Sequence, residues 1–163
     1  MQSPIIGGDA SAIPRPGESR DFMTDLERLR QWLLTYPNWE DSLQVDFTEA
    51  QPGNAGLFPA GMEETGRRED VLGNLQIDCR YRFHLYRHAA GQDDGTANAQ
   101  WLLEFQNWVQ QQSAAGLAPH FGDIPARERL QAQKGSLKET SQVGTGTYTV
   151  TLIADFMKVY EVN

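Results

Sequence analysis

Apolar and polar residues alternate most strictly between Leu75 and Arg87. Leu75, Ile77, Cys79, Tyr81, Phe83 and Leu85 take every second position, and Gln76, Asp78, Arg80, Arg82 and His84 fill the positions between. Successive side chains of a strand point to opposite faces, so this spacing predicts a strand with one buried face and one wet, charged face. A helix would scatter the same apolar residues around its whole circumference. The stretch is roughly twice the usual strand length of about 5 to 6 residues. Such a strand either spans a large sheet or extends past it as an arm.

The remaining pattern is arranged on both sides of this strand. Residues 1–18 carry Pro4, Gly7, Gly8, Pro14, Pro16 and Gly17 without periodicity and read as an irregular N-terminal arm. A single α+β domain is expected over 19–163. From Ser19 or Asp21 to Thr35 the spacing is helical: Phe22, Leu26, Leu29 and Leu33 recur on one stripe, widened by Met23 and Trp32. Thr24 and Glu27 have the spacing of a capping box, and Pro37 stops the helix. Leu43, Val45 and Phe47 alternate with Gln44 and Asp46 as a short strand. Residues 51–56 form a turn, and Leu57–Ala60 a brief strand in which Pro59 marks a sheet edge or the end of pairing. Residues 61–70 are polar and are expected only to lead into the long strand.

Residues 91–95 read as a loop, and a second helix is predicted from Thr96 to Ala115. Trp101, Leu102, Phe105, Trp108, Val109 and Gln112 mark one of its faces, Gly116 takes the C′ position, and Leu117 and Pro119 follow. Arg127–Leu137 is a strand candidate, with Leu130, Ala132 and Lys134 in phase, and 138–146 its connection to a last strand, Thr147–Val159. In that strand Tyr148, Val150, Leu152, Ala154 and Phe156 share one face, and Thr147, Thr149, Thr151 and Asp155 the other. Ile153 and Met157 break the polar face, which predicts cover on both sides there. The order α-β-(β)-β-α-β-β implies an α+β fold: a mainly antiparallel sheet with two main helices on one face.

Composition narrows the function classes. A chain of 163 residues suits one domain with a real core. Its net charge of −8 argues against sequence-independent nucleic-acid binding, which needs clustered Lys and Arg. The one cysteine, Cys79, sits on the apolar face of the long strand, so no intramolecular disulfide is possible and a small core hydrophobe is expected. No apolar run approaches the roughly 20 residues of a membrane span. The first residues lack a basic n-region and an apolar h-region, so a cytoplasmic site of synthesis and use is expected.

The search for chemistry returns little. The three histidines, His84, His88 and His120, form no His-Glu-x-x-His, and no Gly-x-Ser-x-Gly, phosphate loop or dinucleotide fingerprint occurs. We therefore expect no enzyme, no metal and no cofactor. Trp101 and Trp108 read as core, each burying about 150–250 Å²; the alternative is that they line a small-molecule or peptide pocket. The wet face of the long strand, Asp78, Arg80, Arg82 and His84, is locally basic in an acidic chain. It is either a solvated face with acidic cross-strand partners or a subunit contact, where charge pairs set register.

Three stretches resemble one family. Leu29-Arg30-Gln31-Trp32-Leu33-Leu34-Thr35 followed by Val45-Asp46-Phe47 is similar to the opening of small virion proteins of tailed phages, called minor capsid or tail terminator proteins. Phe105 through Gln112, continuing to Gly116-Leu117-Ala118-Pro119, resembles that family's "Trp-hydrophobic-x-x-Gln…Gly-x-Leu-Pro" segment, with Ala118 inserted between Leu117 and Pro119. A strand at 127–130, a Gly-bearing segment, Thr147–Leu152 and a terminal aromatic, Tyr160, match in layout. The resemblance covers roughly Asp25 to Tyr160. It implies a non-enzymatic protein that caps the tail tube as a ring, typically a hexamer, and meets the head connector. Its partners would be itself, the tail-tube protein and the connector, with no sequence-specific nucleic acid and no membrane. Another neck component, such as a head or tail completion protein, is the neighbouring reading.

Overall fold

A computed structural model describes residues 24–39, 41–46, 53–90, 96–140 and 145–162. The expected arm at 1–18 and the loop at 91–95 lie outside these residues, as do Phe22, Met23 and Phe47. The elements run α1 (Asp25–Leu33), β1 (Ser42–Val45), β2 (Asn54–Glu69), β3 (Leu75–Ala90), α2 (Thr96–Ala114), a short 3-10 turn at Pro125–Arg127, β4 (Arg129–Thr140) and β5 (Thr145–Tyr160). They build one five-stranded sheet in the order β1-β2-β3-β5-β4. Only β1 and β2 pair in parallel; every other pair is antiparallel. The α+β class, the element order and the mainly antiparallel sheet agree with the pattern in the sequence.

The long strand lies at the centre of the sheet, because it is hydrogen-bonded on both sides. β3 pairs with β5 in unbroken register from Leu75↔Tyr160 to Ala90↔Thr145. On its other side it pairs with β2 from Asn54↔His88 to Glu69↔Leu75. Cys79, Phe83 and Leu85 face the helices and are buried, as are Val150, Leu152, Ala154 and Phe156 of β5. They join Leu29, Trp32 and Leu33 of α1 and Leu102, Phe105 and Val109 of α2 in one core. Both helices therefore cover the same face. Ile153 and Met157 point away from them and are still only 3% exposed each, so β5 is covered on both sides there. Ile153 lies between Arg82 and Gln131 in register, long side chains of the kind whose stems shield apolar surface.

Local signals explain the element ends. Thr24 is extended, with ψ 162°, and its Oγ1 accepts the Glu27 amide at 3.1 Å. The described helix accordingly starts at Asp25, since the cap residue cannot itself be helical, while Ser19 and Asp21 lie outside the described residues. α2 closes as a Schellman motif: Leu117 N–H donates to Gln112 O at 2.9 Å and Gly116 N–H to Ser113 O at 3.1 Å. Gly116 has φ +74°, which a glycine adopts without steric cost.

Two expectations are corrected. Residues 61–69 do not merely lead into β3; they are the second half of β2, so the two strands make one long hairpin. Their polarity misleads because most of this half is exposed and has no apolar phase to reveal a strand. Pro59 stands two residues after Leu57, the last residue paired with β1, and so falls just past the end of that pairing. Residues 138–146 are not a long connection either: β4 continues to Thr140 and β5 begins at Thr145.

Leu85 is fully buried at the centre of the sheet, whereas Ile77 is half-buried near its end. Leu85→Ala should cost about 2–5 kcal/mol in urea unfolding, and Ile77→Ala clearly less, because a partly open site leaves less cavity behind.

Candidate functional site

The four residues expected at a subunit contact do share one face of β3, opposite the helices, but each meets a neighbour within the chain. Arg80 Nε and one of its terminal nitrogens donate to the two oxygens of Asp155 at 2.7 and 3.3 Å. Arg82 is hydrogen-bonded to Glu63 across the β2–β3 hairpin. Asp78 lies 3.5 Å from Arg68. His84 Nδ1 and Thr151 Oγ1 share a hydrogen bond of 3.3 Å, and His88 Nδ1 and Thr147 Oγ1 a buried one of 2.9 Å. Three arginines here face three carboxylates, so the locally basic stripe of the sequence becomes an alternating, neutral ladder. The cross-strand partners come from β2, the other arm of the hairpin, and from β5, 75 residues away at Asp155. Their side chains are about a third to a half exposed, so each pair contributes on the order of 0–1 kcal/mol. The ladder sets strand register more than it holds the fold together.

The opposite face holds an ion pair that alternation alone does not reveal. Arg87 is in phase with the buried residues, and its Nε donates to Asp41 Oδ2 at 2.7 Å with side-chain exposures of 18% and 10%. Its guanidinium lies 4.2 Å from the centroid of the Trp101 ring, close enough for a cation–π contact. An arginine in the apolar phase was the available signal; Asp41, on the segment after α1, was not foreseeable from spacing. Trp108 stacks on Trp32 at 4.6 Å, and the Trp32 indole N–H donates to Gln112 Oε1 at 3.0 Å. Trp101 is stacked on Phe105 at 5.2 Å. Both tryptophans are thus engaged with other side chains of the fold, and neither lines either of the two clefts described next.

One cleft, of about 740 Å³, runs between α2 and the start of β4 and is of mixed character, with Gln106, Asn107, Gln110 and Gln131 beside Ala114, Leu130 and Ala132 on its walls. There the outer edge of β4 is already satisfied: Leu130 N–H donates to Ser113 Oγ, and Gln106 Nε2 donates to Ala132 O. The other, of about 380 Å³, is a mainly apolar groove midway along the hairpin, lined by Leu26, Pro59, Met62, Tyr81 and Phe83 and edged by Asp25 and Arg82. At its wall the Tyr81 hydroxyl donates to Asp25 Oδ2 at 2.8 Å. Burial first, and then the Asp25 carboxylate, push the Tyr81 phenol well above its usual range, so it remains a neutral donor.

At the far end of the same hairpin, Val71 and Leu72 stand 101% and 77% exposed. The turn that carries them is tightly tied. Asp70 Oδ1 accepts the Leu72 and Asn74 amides at 2.9 Å each, Asn74 Nδ2 donates to Asp70 Oδ2 at 3.0 Å, and Gly73, at φ +88°, permits the reversal. Partial desolvation opposes ionisation of Asp70, but the hydrogen bonds from Asn74, Leu72 and Gly73 outweigh it and hold the carboxyl below its usual range. Asn74 Oδ1 also accepts the Val162 amide, which pins the C-terminal segment beside the turn. Sequence reasoning passed over this apolar pair because it sits inside a polar stretch.

Among the described residues no group of three or more His, Cys, Asp and Glu side chains is placed to hold a metal ion. Among them also, no helix is long and apolar enough to cross a membrane. No protein-family model matches the chain, and no curated protein matches it in sequence.

Two substitutions test the pairings. Arg80→Asp puts like charge opposite Asp155 and should lower stability by about 1 kcal/mol; adding Asp155→Arg should recover most of that loss in urea titrations. Asp41→Ala leaves Arg87 unpaired in a largely buried position and should cost about 3 kcal/mol, several times the surface pair.

Proposed function

We propose that this chain is a structural virion protein of a tailed phage or prophage, a tail terminator that caps the tail tube as a ring and joins it to the head connector. The observation that carries this reading is the family resemblance over Asp25–Tyr160, set on an α+β fold whose longest feature is a hairpin of two sixteen-residue strands. Among the described residues the outer edge of β2 has no strand neighbour beyond Leu57, and the hairpin ends in an exposed apolar turn. Exposed apolar surface on a rigid support is what an assembling subunit needs and what a free-standing monomer avoids. The role is non-enzymatic, and its partners are further copies of the chain, hexameric by the resemblance, together with the tail-tube and connector proteins. Net negative charge in such a ring would let DNA slide through without sticking to the wall. Its place is the virion, after assembly in the host cytoplasm.

The reading is tested first by gene neighbourhood: portal, capsid and tail-tube genes should flank the coding sequence. It is tested at the bench by adding the purified chain to isolated tail tubes and imaging them by negative stain. One added ring at a single end of the tube is expected. A neighbourhood of metabolic genes, or tubes with unaltered ends, would remove it.

A further inference from the structure

We propose that the apolar groove midway along the hairpin is a docking site for the chain itself, its occupants being Phe22 and Met23, the two residues before the cap of α1. This goes beyond the virion reading and does not rest on it. The groove, of about 380 Å³, has Leu26, Pro59, Met62 and Phe83 on its walls, and Met62 is 52% exposed there. Both of its charged edges are already engaged: Arg82 with Glu63, and Asp25 with Arg28 and Tyr81. A charged group entering the groove would give up water and find these partners taken. Apolar side chains are the chemistry that fits.

Three observations name the occupant. Thr24, the helix cap, is itself part of the groove's wall, so the chain comes to α1 at the groove's rim. The two residues before it, Phe22 and Met23, are both large and apolar, and they end a stretch of 23 residues. Consecutive Cα atoms are about 3.8 Å apart, so both side chains reach the groove with no loop to close. Third, an apolar residue just before a cap ordinarily staples to the fourth helical position. Here that position is Arg28, whose guanidinium is bound to Asp25 and donates to His120 O at 2.9 Å, so the helix offers no apolar partner there. The hairpin does. A tethered segment also acts at a local concentration on the order of millimolar, which a second copy or a free partner rarely matches. The groove is thereby closed in the free chain, and a partner that uses it has first to displace Phe22 and Met23.

The test is hydrogen peroxide oxidation of the full chain, with sulfoxide at each methionine followed by peptide mass spectrometry. Oxidation of a methionine is slowed when its sulfur is covered. In the wild type Met62 should react several-fold more slowly than in the urea-unfolded chain, at a rate that does not change on dilution. Phe22→Ala with Met23→Ala should return Met62 to nearly the unfolded rate. Met157, 3% exposed, should stay protected in that variant and so report an intact fold. Phe22→Ala alone serves if the double variant does not fold, and Phe22→Leu with Met23→Leu should keep the protection. In the wild type, nuclear Overhauser contacts should join the Met62 methyl to the Phe22 ring. Met62 oxidised as fast as in the unfolded chain, protection unaltered in the alanine variants, or no such methyl–ring contact overturns the proposal. Protection that weakens on dilution overturns it too, since a second copy would then be the occupant. None of these outcomes bears on gene neighbourhood or tail-tube capping, so the virion reading stands or falls separately.

Discussion

One constraint organises the molecule: β3 is hydrogen-bonded along its length to β5 on one side and to β2 on the other. A strand held on both edges cannot twist its side chains from one face to the other. Its period-two pattern therefore dictates which surface the helices cover. A slip of one residue in register would bring Arg80 and Arg82 under α1 and α2 and put Phe83 and Leu85 into water. The aromatic packing between the helices, Trp32 on Trp108 above all, then closes the core from outside. In this arrangement the helices follow the sheet.

The charged ladder on the other face serves the same constraint. Arg80 with Asp155, Arg82 with Glu63 and Asp78 with Arg68 are partly solvated pairs that add little stability singly. They do penalise misregistered alternatives, in which like charges would stand opposite one another. The buried Arg87–Asp41 pair differs in kind. Removed from water and covered by Trp101, it ties the segment after α1 to the end of β3, and its desolvation is tolerable only because both partners are present.

The two edges of the sheet are treated differently. The start of β4 has its outward backbone groups bonded by Ser113 and Gln106 of α2, which blocks further pairing. β2 is protected by other means: Pro59, two register irregularities and a run of charges from Glu63 to Glu69 discourage another strand from adding there. Assembly through continued sheet pairing is thus disfavoured at both of these places.

Much of this was present in the residue pattern. The alternation in β3 and β5, the double burial at Ile153 and Met157, the Thr24 cap, the Gly116 stop and the face of α2 all follow from period and local backbone chemistry, which act over a few residues. The tertiary structure decided the rest. The pairing of Arg80 with Asp155, of Arg82 with Glu63 and of Arg87 with Asp41 depends on which strands become neighbours, and that choice joins positions from 19 to 75 residues apart. The second half of β2 was hidden because an exposed strand needs no apolar phase. The groove exists only where the start of α1 meets the middle of the hairpin, so no single stretch of sequence contains it.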